Sequence, residues 1–168
     1  MIAKHGSCPS GFVAPLPESP GEVCGLPLDA EHFDESSIAG VPAPGRDVRL
    51  ARFALNPQYC GRFENFCQFT DLHARDNAEI ETPGLVWLVL INNRPLYPFL
   101  ALERLINPWG WGSFPVSIRL DENAVVELVV RNVNYAPAAG DPVIRRVGGR
   151  ILGRFWFNPI YGHVSRSR

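Results

Sequence analysis

The sequence predicts an all-β fold, an antiparallel β-sandwich preceded by an extended proline-rich N-terminal arm, and three observations carry that expectation. The 168 residues include 15 Gly and 16 Pro, too many for a bundle of long helices, because either residue weakens or breaks a helix it falls inside. Apolar residues make up 46% of the chain, enough for a sizeable core. From Asp47 onward they recur with the two-residue period of strands, whereas residues 1–46 sustain no apolar period at all. The chain thus divides into an arm over 1–46, a sandwich domain over 47–158 and a basic C-terminal tail over 159–168.

The arm carries seven prolines: Pro9, Pro15, Pro17, Pro20, Pro27, Pro42 and Pro44. Its charges are Lys4 and Arg46 against Glu18, Glu22, Asp29, Glu31, Asp34 and Glu35, a net of −4 in a chain whose total is −1. A segment of this composition cannot bury enough apolar surface to build its own core. Extended at ~3.1 Å per residue it reaches on the order of 100 Å, a length suited to wrapping a neighbour. Pro15, Pro17 and Pro20 are its candidate contact residues. Met1–Ser10 holds one Lys and no apolar h-region, so Sec export is not expected, and no apolar run reaches the ~18 residues of a membrane helix. Maturation in the cytoplasm follows as the expectation.

The strands come in order. Val48–Leu55 is a short apolar-rich run ending at Asn56-Pro57, and Tyr59–Phe69 contributes Phe63, Phe66 and Phe69. Leu85–Ile91 is a continuous apolar run closed by Asn92-Asn93-Arg94-Pro95, the pattern of a strand buried on both faces. Helical spacing occurs at Leu96–Ile106, where Pro98 limits it to a short turn. Phe114, Val116, Ile118 and Leu120 alternate with polar positions, Asp121-Glu122-Asn123 makes a tight turn, and Val126, Leu128 and Val130 alternate beyond it. This predicts an antiparallel hairpin from Phe114 to Tyr135. The loop Tyr135–Pro142 is followed by Val143–Val147, by Gly148-Gly149 as a break, and by the strand Arg150–Phe157. Seven or eight strands at this spacing indicate two packed sheets.

Candidate chemistry is sparse. Cys8, Cys24, Cys60 and Cys67 match no tight C-x-x-C pair, so free thiols are the expectation, with a His5/Cys8/Cys24 zinc site and a Cys60–Cys67 pairing as weaker alternatives. Asp71, His73 and Asp76 crowd one loop, but no nucleophile, metal-ligand or phosphate-loop motif accompanies them, and a solvated turn explains them. His32 and His163 read as surface residues. No catalytic residue, cofactor or metal is therefore expected. Trp109 and Trp111 flank Gly110 in a loop, and such a pair can stack on a sugar, fill an inter-subunit pocket or plug one end of the sandwich. Beyond Asp141 there is no acidic residue, while Arg145, Arg146, Arg150, Arg154, Arg166 and Arg168 accumulate. Set against the acidic arm, this end suits head-to-tail contact between copies, with Arg150, Arg154 and Arg166 as the candidates; phosphate contact with nucleic acid is the rival use.

The stretch Phe114–Asn132, with its Pro-x-Ile strand, short turn and closing Val-Arg-Asn, continued by Gly149–Asn158, resembles the jelly-roll or β-sandwich structural proteins of tailed-bacteriophage particles, over roughly residues 84–158. The resemblance implies a virion component, either a capsid cement or decoration protein or one at the vertex, collar or tail. Its implied partners are other virion proteins and further copies of itself, and its implied place is the virion, assembled in the host cytoplasm. It carries over no functional residue. The alternative is a carbohydrate- or receptor-binding module using Trp109 and Trp111.

Overall fold

A computed structural model of the chain describes residues 22–23, 26–27, 30–71, 80–81, 84–96, 104–105, 113–137, 139–140 and 143–158. Every regular element among them is a strand: β1 (Glu22–Val23), β2 (Leu26–Pro27), β3 (Glu31–Gly40), β4 (Asp47–Ala54), β5 (Tyr59–Thr70), β6 (Ile80–Glu81), β7 (Leu85–Ile91), β8 (Arg94–Pro95), β9 (Arg104–Leu105), β10 (Ser113–Leu120), β11 (Val125–Asn132) and β12 (Arg146–Phe157). Eight of them form two antiparallel four-stranded sheets, in the orders β10-β5-β12-β3 and β4-β11-β7-β8, while β1 pairs β2 and β6 pairs β9. The helical spacing seen at Leu96–Ile106 is not realised at Arg104–Leu105, which pair with Ile80–Glu81.

The sheets share one core. From the first come Phe33, Phe63, Phe66, Val147 and Ile151; from the second, Leu50, Trp87, Val89, Leu128 and Val130. Phe33 of β3 stacks on Phe53 of β4, ring centroids 3.9 Å apart, and Trp87 donates its indole N–H across the core to the Gly148 carbonyl at 3.3 Å. That bond supplies the one polar group a fully buried tryptophan must satisfy. The arrangement is sandwich-like, two layers over a shared apolar interior.

Local chemistry explains the details. Phe63 and Phe66 are three apart, so strict alternation would send them to opposite faces, yet both are fully buried. The ladders of β5 with β12 and with β10 both slip at Glu64, and this bulge re-aims the chain so that both rings enter the core. Asn92 and Asn93 sit at φ of 51° and 63°, the left-handed pair that a two-residue hairpin turn between β7 and β8 requires.

Three expectations are corrected. Glu31–Gly40, assigned to the arm, is an edge strand laddered along β12, so the sheets begin well before residue 47. Its sequence is too polar to announce a strand, and what holds it is a backbone ladder plus one buried side chain, Phe33. Phe114–Leu120 and the following strand are strands joined by a tight turn, but they are not a hairpin: β10 pairs β5, whereas β11 lies between β4 and β7 in the other sheet. A turn signal reverses the chain without choosing its partner, and here it carries the chain from the first sheet to the second, where Val126, Leu128 and Val130 enter the shared core. Gly148-Gly149 does not interrupt β12. It is glycine there because the Phe69 ring lies over Gly148, and a Cβ on Gly149 would sit 2.3 Å from a Leu128 methyl.

Candidate functional site

With the inner faces occupied by the core, the charged side chains lie on the outer faces. Residues directly opposite in neighbouring strands share a face. On the first sheet His32 is opposite Arg154, Arg154 opposite Arg62, and Arg62 opposite Arg119. A single basic row thus crosses all four strands, at a spacing of about 4.8 Å per strand. Like charges directly opposite one another repel, so such a row needs compensation.

Part of that compensation is present. Arg119 donates Nε–H to Asp121 at 3.1 Å, and Glu64, carried on the bulge, brings a carboxylate oxygen to 3.3 Å from Arg154 Nε. The latter is an ion contact without hydrogen-bond alignment, since Arg154 Nε has no hydrogen-bond partner. Arg62 is only 5% exposed, and its Nη1 has no partner either; nor has the buried Oε1 of Glu64. Among the described residues, three of the five buried polar atoms without a partner belong to this cluster, which singles it out from the rest of the surface.

Two register steps along β12, Arg150 forks onto Asp34, with Nε donating to Oδ1 at 2.6 Å and Nη2 to Oδ2. The hydrogen bonds from Arg150, aided by its charge and opposed by desolvation, hold the Asp34 carboxyl below its ordinary pKa, and Arg150 is raised in return. Burial pushes the neighbouring Cys67 thiol up, with the charge and backbone of Arg150 opposing it, so Cys67 is no reactive thiolate. Cys60 and Cys67 lie on one extended strand, about 23 Å apart at ~3.3 Å per residue, and both are thiols; a disulfide needs Cα atoms within about 7 Å.

The outer face of the second sheet holds an open groove of about 610 Å³. Leu88, Leu90 and Val129 floor it, and its charges are matched internally. Arg131 forks onto Asp47 at 2.8 and 2.7 Å, and Arg49 meets Glu127 at 3.0 Å. Hydrogen bonds from Arg131 lower the Asp47 pKa. Asp71, one member of the acid–histidine loop, caps the entry to β12. Its Oδ1 accepts the Arg145 and Arg146 amides at 3.0 and 3.2 Å. Burial pushes its carboxyl up, but those amides, its own N–H and the Arg145 charge outweigh that and leave it lowered.

These three lowered aspartates predict a pH response. A depressed folded-state pKa adds stability that is fully present above about pH 4, the unfolded aspartate value, and is lost as pH falls through the folded values. The melting temperature is expected to be flat from pH 7 to 5 and to fall below about pH 4. Asp34→Asn should flatten that acid limb and lower neutral-pH stability by no more than about 1 kcal/mol, since the pair is half exposed. A melting temperature independent of pH down to 3 would contradict the assignment.

Of the candidates read from sequence, Arg150 and Arg154 lie on one outer face, each with an acidic partner in its own chain, Asp34 and Glu64. For Arg150 the acidic partner expected from another copy is thus supplied internally. Pro15, Pro17, Pro20, Trp109, Trp111 and Arg166 lie outside the described residues, as do His5, Cys8, Cys24, His73, Asp76 and His163. Arg62, Glu64 and Arg119 were not candidates. Nothing local marks them, because Arg62 and Arg154 become neighbours only through strand register. Among the described residues no group of three His, Cys, Asp or Glu is placed to hold a metal ion, and no helix is long and apolar enough to cross a membrane. The chain matches no protein-family model, no curated protein and no solved structure.

Proposed function

We propose that this chain is a non-enzymatic structural subunit of a tailed-phage particle, a cement or decoration protein or a component of vertex, collar or tail. In this reading it is built on a jelly roll and attaches to neighbouring particle proteins, including copies of itself, through its leading arm and sheet edges. The observation that carries the reading is the strand order. Counting the eight sheet strands from β3 to β12 along the chain, the sheets run first-eighth-third-sixth and second-seventh-fourth-fifth, and only the fourth-to-fifth connection stays within a sheet. That order is the one expected of two interlocked Greek keys, a wind used by viral capsid domains as well as by lectin domains and cupins.

Two further features support attachment. The ten-residue β3 ends its sheet, and its outer edge pairs with no strand among the described residues, so it offers main-chain donors and acceptors to an extended segment of a neighbour. Ahead of it stand 30 residues, of which the 21 before β1 could reach roughly 65 Å if extended. On a lattice, high effective concentration turns such modest contacts into stable attachment. In this reading, which also follows the resemblance noted in the sequence, the protein works in the virion and is assembled in the host cytoplasm.

The test is cosedimentation with purified particles, using the full chain and a chain lacking residues 1–29. The full chain is expected to pellet with particles and the shortened chain, with an unchanged melting temperature, to stay in the supernatant. Equal pelleting of both would remove the role given to the arm, and failure of the full chain to pellet would remove the particle assignment.

A further inference from the structure

The basic row on the outer face of the first sheet contains a set of hydrogen-bonding groups that no described residue completes. Two donors on register-paired residues, Arg62 Nη1 and Arg154 Nε, and one acceptor on the adjoining bulge, Glu64 Oε1, are buried without hydrogen-bond partners. Leaving a buried charged donor or acceptor without a hydrogen bond is costly, so three on neighbouring residues call for a ligand that answers all of them. Arg62 is the decisive member, because a guanidinium only 5% exposed has little access to bulk water.

The missing partners define the ligand's chemistry. It must present two acceptors to the guanidinium groups and one donor to the Glu64 carboxylate. Its charge is negative, since among the described residues Arg62 and Arg154 face one carboxylate between them, while Arg119 is matched by Asp121. A plain carboxylate supplies acceptors but no donor, and a neutral amide supplies both but no charge. An oxyanion that retains a proton supplies all three. Guanidinium forks suit tetrahedral oxyanions of this kind. We propose that Arg62, Arg154 and Glu64 form a binding site for hydrogenphosphate, the guanidinium groups donating to its unprotonated oxygens and the Glu64 carboxylate accepting from its P–OH. This site is independent of the particle assignment, and either can fail alone.

The Glu64 carboxylate makes the proposal selective, because sulfate has the same size and shape but no proton at neutral pH. A carboxylate facing it is then repulsive, a discrimination by an unmatched charge. Calorimetric titration of the full-length protein with inorganic phosphate and with sulfate, at constant ionic strength and pH 7, reads the site directly. Phosphate is expected to bind at least about tenfold more tightly than sulfate. Glu64→Gln, which replaces the acceptor with an amide able to donate, should erase or invert that preference. Arg62→Met should abolish binding of both ions, and Arg154→Gln, at a more exposed position on the sheet surface, carries the same expectation should Arg62→Met fail to fold. Titration with glycerol phosphate at about pH 5, where the ester retains its P–OH, separates the sources. Competition by it assigns a phosphoryl group carried on a larger molecule, and competition by inorganic phosphate alone assigns the free ion. Equal affinity for phosphate and sulfate, unaltered binding by Arg154→Gln, or no saturable binding would each overturn the site.

Discussion

A chain lacking residues 1–46 is expected to lose its cooperative fold, while one lacking residues 1–29 melts like the intact protein. The longer deletion removes β3, its ten-residue ladder with β12, the Asp34–Arg150 fork and the buried Phe33 ring stacked on Phe53. Truncating a buried phenylalanine alone costs about 3–5 kcal/mol, against a total stability of about 5–15 kcal/mol for a domain. It would also strip one edge from β12, exposing the ladder groups of Arg146–Phe155 to water and to other chains. The shorter deletion stops before Ala30 and leaves all of this in place. Thermal melts followed by far-ultraviolet circular dichroism distinguish the two. A cooperative melt of the longer deletion at the full-length temperature would show that β3 does not belong to the sheet.

Gly153→Ala is expected to cost about 3 kcal/mol or more, the upper end of overpacking penalties, and to lower the melting temperature by roughly 10 °C. A Cβ there would stand 2.2 Å from the Arg62 carbonyl oxygen and 2.5 Å from the Phe33 ring. A flexible side chain can swing away from such a clash, but a carbonyl fixed in a sheet ladder cannot. Gly153 faces Phe63 where the β5–β12 register slips, so the bulge at Glu64 that turns both Phe63 and Phe66 inward depends on this close approach. Gly40→Ala serves as the control, because a Cβ at Gly40 meets nothing within 4 Å, and its expected effect is within about 0.5 kcal/mol. Equal melting temperatures for the two variants would refute the packing described for the bulge.

Much of the strand inventory was legible because it rests on local patterns. The alternation from Phe114 to Leu120 and the apolar run Leu85–Ile91 appear as half-buried and largely buried strands, and the Asn92-Asn93 pair sits where the left-handed turn needs it. What local pattern cannot carry is partnership. The Asp121-Glu122-Asn123 turn looks the same whether it closes a hairpin or carries the chain from one sheet to the other, and here it does the second. Glu31–Gly40 shows the converse failure, since its only strong apolar anchors are Phe33 and Ile38, and Ile38 points to solvent. For an edge strand the ladder to its neighbour substitutes for apolar periodicity, and the ladder is invisible until the neighbour is known.

The candidate site follows the same division. Arg150 and Arg154 stood out in sequence because the C-terminal stretch is rich in arginine and empty of acid. Their acidic partners, Asp34 and Glu64, lie 116 and 90 positions away, and Arg62 comes beside Arg154 only when β5 and β12 align. The sequence by itself determined an all-strand chain, its turns and the apolar residues of its core, because those depend on periods of two and on the φ preferences of Asn and Gly. Only the tertiary structure decided which strands are neighbours, where β5 bulges, and which charges share a face. Those depend on register between distant segments, and a shift of one residue would send Arg62 into the core and Phe63 into water.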